Sequence, residues 1–249
     1  MAAAKGKQVA TTKGKQLSAE QAKKQLQDQA QGIKDRIGAP ETNSISIKDK
    51  IFTFPDGRVV QDSIEVVIID FMAWNQYYDR PFDPKNPAPP VCFAFSENPR
   101  NLAPSDEAPE PQASTCAECW ANEFGSGTGD GKACRNQRKI AVVPAGEDPV
   151  DGPMYLMTVP PSSIKKFDGY VSTVARLYNV PPIGVKTTIR MHPETNYPAL
   201  LFDNPEPNQD LGGHMERQDE ARDLLQVVPD LSGYEPPKKK PAKGRAARK

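Results

Sequence analysis

The stretch SIEVVIIDFMAW, residues 63–74, combines β-branched and aromatic side chains in an almost unbroken apolar run. Such residues suit the pleated surface of a sheet, and the run indicates a well-buried strand. Immediately upstream, IFTFPDGRVV (51–60) places Asp56 and Gly57 between two apolar segments. This pattern predicts a β-hairpin, because glycine tolerates positive φ at the turn. The core is therefore predicted to be built around a sheet.

Further strands are predicted downstream of residue 137. RKIAVVP (138–144) and MYLMTVP (154–160) are short apolar runs typical of strands, and residues 197–203 predict the last strand of the core. Residues 183–191 alternate between apolar and polar side chains. This alternation predicts a half-buried strand with a cationic outer face.

One helix is predicted between the strands that end near Pro160 and begin near Ile183. Ser162 or Ser163 can cap its N-terminus, and it is expected to end near Tyr178. Apolar side chains recur along it at helical spacing and would form one buried face. They are Ile164, Phe167, Val171, Val174 and Leu177.

A Pro- and Gly-rich segment after the first core strand holds all the cysteines of the chain. Cys116 and Cys119 form a Cys-x-x-Cys pair, with Cys92 24 residues before it and Cys134 15 residues after it. Thiolates at such spacing suit a tetrahedral structural zinc site, which would order a segment that has little core of its own. The alternative is a chance cluster of buried or redox-active thiols. Cys92 also fits a buried strand position within VCFAF.

The order of the elements predicts a mainly β, α+β fold with one central helix. From residue 63 it runs strand, excursion, strand, strand, helix, strand, strand, as in a five-stranded OB-fold-like barrel, although other mixed sheets share it. We predict a core at 41–203 with a zinc-binding insertion at 84–137. Residues 1–40 are predicted to be a disordered or weakly helical basic arm, and 204–249 a polar and basic tail with one short helix around residues 217–225.

Charge is distributed unevenly along the chain, although its formal net value is zero. Residues 1–37 carry eight Lys or Arg against three acidic residues, and 238–249 carry seven Lys or Arg without an acid. With arms of +5 and +7, the middle must carry −12. Basic arms attract phosphate through counterion release or merely keep a chain soluble, whereas an acidic middle weakens a purely electrostatic attraction to nucleic acid.

The N-terminal sequence MAAAKGKQVATTKGKQ lacks the apolar run of a signal peptide, and no segment approaches the roughly 18 apolar residues of a membrane helix. We therefore expect a soluble, cytoplasmic protein. In a reducing compartment, cysteines favour metal ligation or free thiols over disulfides.

Aromatic and cationic side chains accompany the cysteines in the sequence. Rings provide stacking platforms for bases and cations pair with phosphates, so the mixture is typical of surfaces that bind single-stranded nucleic acid. The alternative is that the rings pack internally and the cations are ordinary solvated surface. The candidate nucleic-acid-binding residues are Trp74, Tyr77, Trp120, Phe124, Lys132, Arg135, Arg138, Lys139, Lys186 and Arg190.

The stretch TCAECWANEFGSGTGDGKACRNQRKIAVVP (115–144), followed by YLMTVPPSSIKKFDGYV (155–171), resembles zinc-containing single-stranded DNA-binding-like proteins of tailed bacteriophages. The likeness covers about residues 90–200. It rests on the Cys-x-x-Cys pair, the glycine-rich stretch, GKAC and the TVPP-type turn into a helix. The resemblance implies DNA binding during phage replication or recombination, and carries the ligand role to Cys116, Cys119 and Cys134.

Enzyme signatures are incomplete in this sequence. The run GSGTGDGK (125–132) resembles a phosphate-binding loop, but Ala133 stands where a Ser or Thr would bind magnesium. The two histidines, His192 and His214, belong to no recognisable catalytic motif. We expect a protein that is not an enzyme and has neither a small-molecule substrate nor a membrane partner.

The sequence therefore predicts a single-stranded DNA-binding protein of low sequence preference that acts in phage DNA replication or recombination, in the host bacterial cytoplasm. Its expected cofactor is one structural zinc ion, and its expected partners are single-stranded DNA and replication or recombination proteins. The alternative is a zinc-knuckle adaptor that docks onto replication or transcription machinery. The acidic middle favours the adaptor, because acidic surfaces repel DNA and attract basic proteins.

Overall fold

The computed structural model describes residues 43–81, 83, 85, 87–234 and 236, together with Ser18 and Gln29. The remainder of the predicted arm at 1–40 and the basic end at 238–249 lie outside the described residues. The chain divides into two units, Met1–Thr42 and Asn43–Lys249, and the fold below is that of the second. Within the described residues, no helix is long and apolar enough to cross a membrane.

One sheet of nine strands forms the body of this unit. Its strands are β1 (Ser44–Lys48), β2 (Ile51–Thr53), β3 (Val59–Gln61), β4 (Ser63–Tyr77), β5 (Cys92–Ser96), β6 (Arg135–Pro144), β7 (Tyr155–Val159), β8 (Val185–Met191) and β9 (Leu200–Pro207). Their spatial order is β3-β2-β1-β7-β6-β4-β8-β9, with β5 paired to the second half of β4. The pair β1 and β7 is parallel, and the other neighbours are antiparallel.

The sheet curls into an open half-barrel. The five predicted core strands are present as β4, β6, β7, β8 and β9, and they pair as β4–β6, β6–β7, β4–β8 and β8–β9. Among the described residues β7 pairs with β1 and not with β9, so no ladder closes the sheet. The predicted mainly β class is confirmed, but the sheet is larger than five strands because β1, β2, β3 and β5 join it.

The central strand β4 is covered on both faces, which explains its unbroken apolar run. A register shift between Ile68 and Asp70 changes the alternation of its side chains. Ile68 and Phe71 therefore face one apolar core, whereas Ile69 and Met72 face the other. A bulge has this effect because it inserts one residue without a partner on the neighbouring strand.

Helix α1 (Ile164–Tyr178) covers the first of these cores. Its predicted apolar face is correct except at Leu177, which is 61% exposed. Tyr170 takes an inward position instead, and its hydroxyl is hydrogen-bonded within the core. Ser163 occupies the predicted N-cap position, but its Oγ accepts the Leu200 N–H at 2.7 Å and does not cap the helix.

The second core is covered by the C-terminal segment. Two short helices, α2 (Leu211–Met215) and α3 (Gln218–Leu225), follow β9, and α3 packs apolar side chains against the face of the sheet that holds Trp74. The core therefore extends beyond Asp203, where the sequence pattern placed its end. The short helix predicted around residues 217–225 is confirmed as α3, but its packing against the sheet was not predicted, because that packing depends on tertiary contacts.

Two local predictions are confirmed by the strands. The hairpin upstream of β4 is formed by β2 and β3, and Gly57 at its turn has φ +87°. Residues of β8 alternate strictly between buried and half-buried positions.

Candidate functional site

All four cysteines line one small cavity at the end of β4. Cys92 begins β5 opposite Tyr77, and Cys134 directly precedes β6, so the pairing of both strands with β4 brings these thiols together. Cys116 and Cys119 approach from the intervening loop. Each of the four is 8% exposed, and none forms a disulfide.

Main-chain hydrogen bonds hold the loop around the thiols. The Cys116 N–H donates to the Leu102 carbonyl at 2.9 Å, and the Cys134 N–H donates to the Ala121 carbonyl at 2.7 Å. Asn122 Nδ2 donates to the Cys116 carbonyl at 2.7 Å. These contacts give the Pro- and Gly-rich segment a defined path, although it buries few apolar side chains of its own.

The cavity between the thiols leaves about 10 Å³ of free space. A single water needs roughly 10–15 Å³, so the space suits one particle of atomic size. In the described part of the chain, no group of three or more His, Cys, Asp or Glu side chains has the geometry of a metal site. The four thiols therefore surround one cavity without forming a closed coordination shell.

Burial raises the pKa of three of these thiols. The pKa of Cys134 rises to about 12, mainly through burial and further through the neighbouring thiols. Burial is also the main cause of the raised pKa of Cys92 and of Cys116. These side chains are therefore neutral at pH 7 unless a cation displaces their protons.

A buried amide borders the thiols and lacks an acceptor. Asn75 is 3% exposed, and its Nδ2 is the one buried side-chain nitrogen or oxygen in the described residues without a hydrogen-bond partner. Its Oδ1 accepts from Asn136 Nδ2 at 2.9 Å. Although the Asn75 amide makes no geometric hydrogen bond, it opposes the effect of burial on the pKa of Cys116. A thiolate at Cys116 would give this N–H the anionic acceptor that it lacks.

The donor set fits a thiolate-binding metal. Four sulfur atoms around a cavity of atomic size, with a donor N–H in the wall, match a structural zinc site with four cysteine ligands in the type and number of ligands, although the described thiols do not take its geometry. Because all four positions are taken by sulfur, such a site would leave no position for a reacting water.

Exposed aromatic rings lie beside the cysteine loop. Trp120 begins the 3₁₀ turn Trp120–Asn122 directly after Cys119 and is 47% exposed, and Phe124 is 83% exposed. The half-buried Tyr77 ring contacts the Trp120 ring edge-on, with centroids 5.5 Å apart. Single exposed rings are common on protein surfaces, but rings that are grouped in one patch can mark a binding site.

Two cations accompany these rings. Lys132 Nζ lies 4.9 Å from the centroid of the Phe124 ring and donates to Asn122 Oδ1 at 3.0 Å. The Arg135 guanidinium lies 5.9 Å from the centroid of Tyr78. Neither cation forms an ion pair with a carboxylate of the described residues. We call this set the knuckle surface: Tyr77, Tyr78, Trp120, Phe124, Lys132 and Arg135.

The structure places Trp74 outside the knuckle surface, which corrects the candidate set. Trp74 is fully buried, and its Nε1 donates to the Leu225 carbonyl at 2.9 Å. Its ring stacks on Phe95 with centroids 4.9 Å apart, and Lys139 Nζ lies 3.3 Å from its centroid. Trp74 therefore offers no face to a base, because protein atoms cover both of its sides.

The remaining predicted cations are engaged elsewhere. Arg138 is buried and forms a bidentate ion pair with Asp168 at 2.9 and 3.2 Å. Lys186 pairs with two carboxylates at 3.1 and 3.2 Å, and Arg190 pairs with Asp203. β8, which carries these last two cations, pairs with the start of β4, whereas the thiols lie at its end. The predicted cationic face of β8 is thus neutralised and does not continue the knuckle surface.

Sequence patterns did not single out Asn75 or Asn122, whose amides contact the cysteine loop. Each is an ordinary polar residue in the sequence, and only the folded chain brings its amide against the cysteine loop. No protein-family model, no curated protein and no solved structure matches the chain.

Proposed function

We propose that this protein binds single-stranded DNA across the knuckle surface, with little sequence preference, and acts in phage DNA replication or recombination. The observation that carries the proposal is the combination of two exposed rings, Trp120 and Phe124, with two cations that have no carboxylate partner among the described residues. Bases stack on aromatic faces regardless of sequence, while cations follow the phosphate backbone.

Binding follows from the arrangement of the knuckle surface. The Trp120 and Phe124 rings stack on bases of an unpaired strand, and Lys132 and Arg135 lie beside them for the phosphates. A duplex keeps its bases stacked internally, so it can use the cations but not the rings. The five strands β4, β6, β7, β8 and β9 act as an OB-like platform, from which the cysteine loop projects between β5 and β6.

We further propose that Cys92, Cys116, Cys119 and Cys134 hold one structural zinc ion. Support comes from their convergence on a cavity of about 10 Å³ and from the unpaired Asn75 amide at its wall. When bound, zinc would supply a fixed tetrahedral junction for four thiolates. Cys119 directly precedes the turn that carries Trp120, so fixing this thiol fixes the orientation of the ring.

Intrinsic fluorescence tests the proposed function. Trp120 is exposed and Trp74 is not, so a single-stranded oligonucleotide should quench only the Trp120 emission. The wild-type protein should show quenching that saturates with oligonucleotide and weakens with salt. Trp120→Phe should lose the quenching, and Trp74→Phe is the matched control that should retain it. An equal affinity for duplex in a parallel anisotropy titration, or no binding at low salt, would contradict the proposal.

A protein-docking adaptor is the second candidate, favoured by the acidic middle of the chain and by the neutralised cations of β8. In this role the zinc knuckle would be a scaffold for contacts with replication or transcription proteins. A nuclease-resistant protein partner, combined with no oligonucleotide binding by the purified chain, would favour the adaptor.

A further inference from the structure

A second concave surface lies next to the cysteine loop. This cleft has a volume of about 270 Å³ and opens between the 3₁₀ turn Pro99–Asn101 and the start of α1. Its wall holds two arginines and three asparagines, a composition unlike that of the apolar cores on either face of the sheet. The side chains that matter below are Asn75, Arg100, Asn122, Asn136 and Arg138.

The positive charge of the cleft comes from two arginines in different states. Arg100 is exposed and forms no ion pair with the described residues. Arg138 is 10% exposed in its side chain and is paired with Asp168, whose side chain is 47% exposed. An anion that enters the cleft therefore meets one free guanidinium and a second whose carboxylate partner faces solvent.

The N-terminus of α1 favours an anion in the same cleft. Ile164, the first residue of α1, lines the cleft, and the first turn of this 15-residue helix contains no acidic residue. Ser163 leaves the helix N-terminus without a side-chain cap, since its Oγ is bonded to the Leu200 N–H. Partial positive charge at a helix N-terminus stabilises an anion nearby. Asn75 and Asn136, joined by a hydrogen bond of 2.9 Å, add polar side chains to the cleft wall.

The cleft is continuous with the knuckle surface. Asn122 belongs to the same turn as Trp120 and also lines the cleft. A strand stacked on Trp120 can thus pass a phosphate over Asn122 toward Arg100, and none of the described residues that line the cleft is acidic.

We propose that this cleft binds a backbone phosphate of the strand that stacks on Trp120, with Arg100 as its direct contact and Arg138 as the guanidinium beneath it. The inference rests on the proposed single-stranded DNA binding and extends it by naming where the backbone leaves the aromatic rings. Guanidinium groups suit this role because their planar donors match phosphate oxygens.

Two substitutions that should change the affinity for single-stranded DNA in opposite directions test the cleft. Arg100→Gln removes a phosphate contact, so it should weaken binding of an oligo(dT) and lower the slope of log affinity against log salt by about 0.7. Asp168→Asn releases Arg138 from its carboxylate, so it should tighten binding and make the slope steeper. Both are measured by anisotropy across a salt series.

Each substitution has a matched control. Arg176→Gln removes an exposed arginine from the last turn of α1, about 18 Å along the helix from the cleft. Asp203→Asn releases Arg190 from its carboxylate on β9 in the same way that Asp168→Asn releases Arg138. Changes caused only by net charge would appear equally in a variant and its control.

The outcomes separate this inference from the proposed function. If the wild-type protein does not bind oligo(dT), the proposed function fails. If it binds through Trp120 but Arg100→Gln equals Arg176→Gln and Asp168→Asn equals Asp203→Asn, the cleft inference is overturned while the function stands. Arg100-dependent binding of free dAMP without an effect on oligo(dT) would also overturn it. Should Asp168→Asn unfold, as judged by its thermal transition, the Arg100 and Arg176 pair still decides.

Discussion

The two tryptophans of this chain lie in opposite environments. Trp74 lies on β4 with Lys139 Nζ 3.3 Å from its ring centroid and no exposed surface, whereas Trp120 lies on a short turn and is 47% exposed. The difference comes from the C-terminal segment: α3 covers Trp74, and its Leu225 carbonyl accepts the indole N–H. Trp74 therefore stabilises the fold, while the ring of Trp120 remains available to a ligand.

The largest expected effect concerns the parts of the structure that hold the two tryptophans in place, the cysteine loop for Trp120 and the sheet for Trp74. Cys116→Ser should abolish zinc binding and unfold the loop that positions Trp120, because a structural zinc contributes on the order of 10 kcal/mol to such a site. The sheet around Trp74 should persist. Zinc content per chain and limited proteolysis of residues 97–134 measure the two effects.

Ala117→Ser is the control for this substitution, since it changes an exposed residue between the two paired cysteines. Equal zinc content in Cys116→Ser and Ala117→Ser would show that the thiol is not a ligand. Loss of the whole fold in Cys116→Ser would show that the Trp74 core depends on the loop.

Replacing each tryptophan by alanine should give the next largest difference, this time in the free energy of unfolding. Trp74→Ala should lower the free energy of unfolding by about 3–5 kcal/mol, because it leaves a cavity between the sheet and α3. Trp120→Ala should change it by only about 0.5 kcal/mol, as expected of a surface position. Urea unfolding of both variants measures the contrast, and equal losses would contradict the distinction between a core ring and a surface ring.

For DNA binding, the roles of the two rings should be reversed. Trp120→Ala should weaken binding of single-stranded DNA roughly 5- to 150-fold, because stacking of one base contributes about 1–3 kcal/mol. Tyr197→Ala is the control, since Tyr197 is an aromatic residue that is 58% exposed but lies outside the knuckle surface. Equal losses in the two variants would indicate nonspecific contact with exposed rings.

The sequence predicted the strands and the helix well because their signals are local. β4, β6, β7 and α1 all lie within a few residues of their predicted bounds, since periodicity and capping residues mark them directly. Exposure was harder to predict. Nothing in FMAW distinguishes a ring that stacks on a base from one that α3 covers 150 residues later, because the cover depends on tertiary packing.

The candidate site, like the fold, was predicted from the sequence only in part. Cysteine spacing identified four thiols that do converge on one cavity, because short flexible segments readily bring such side chains together. The cations were predicted less well. Lys186 and Arg190 carry charge in the sequence, but their carboxylate partners come from β4 and β9, and only the register of the sheet shows that these charges are neutralised.

The smallest expected effect concerns the lysine that covers Trp74. Burial lowers the pKa of Lys139 to about 8, from 10.5 in an unfolded chain. Between these values the unfolded state binds more protons than the folded state, so stability should rise with pH, by at most about 1.4 kcal/mol per pH unit. Lys139→Met keeps the apolar cover of the ring and should remove this rise. Protonation changes of other groups are common to the two proteins and cancel in the difference between them.

Urea unfolding at intervals from pH 7.5 to 10.5 measures the difference in stability between the wild-type protein and Lys139→Met. Lys186→Met is the control with the opposite sign, because the hydrogen bonds that Lys186 donates to Glu206 and Glu65 raise the pKa of Lys186. Its contribution to stability is present below about pH 10.5 and is lost above it. Lys186→Met should therefore leave the rise between pH 8 and 10.5 intact. If Lys139→Met follows the wild-type profile as well, the Lys139 ammonium does not lose its proton over Trp74.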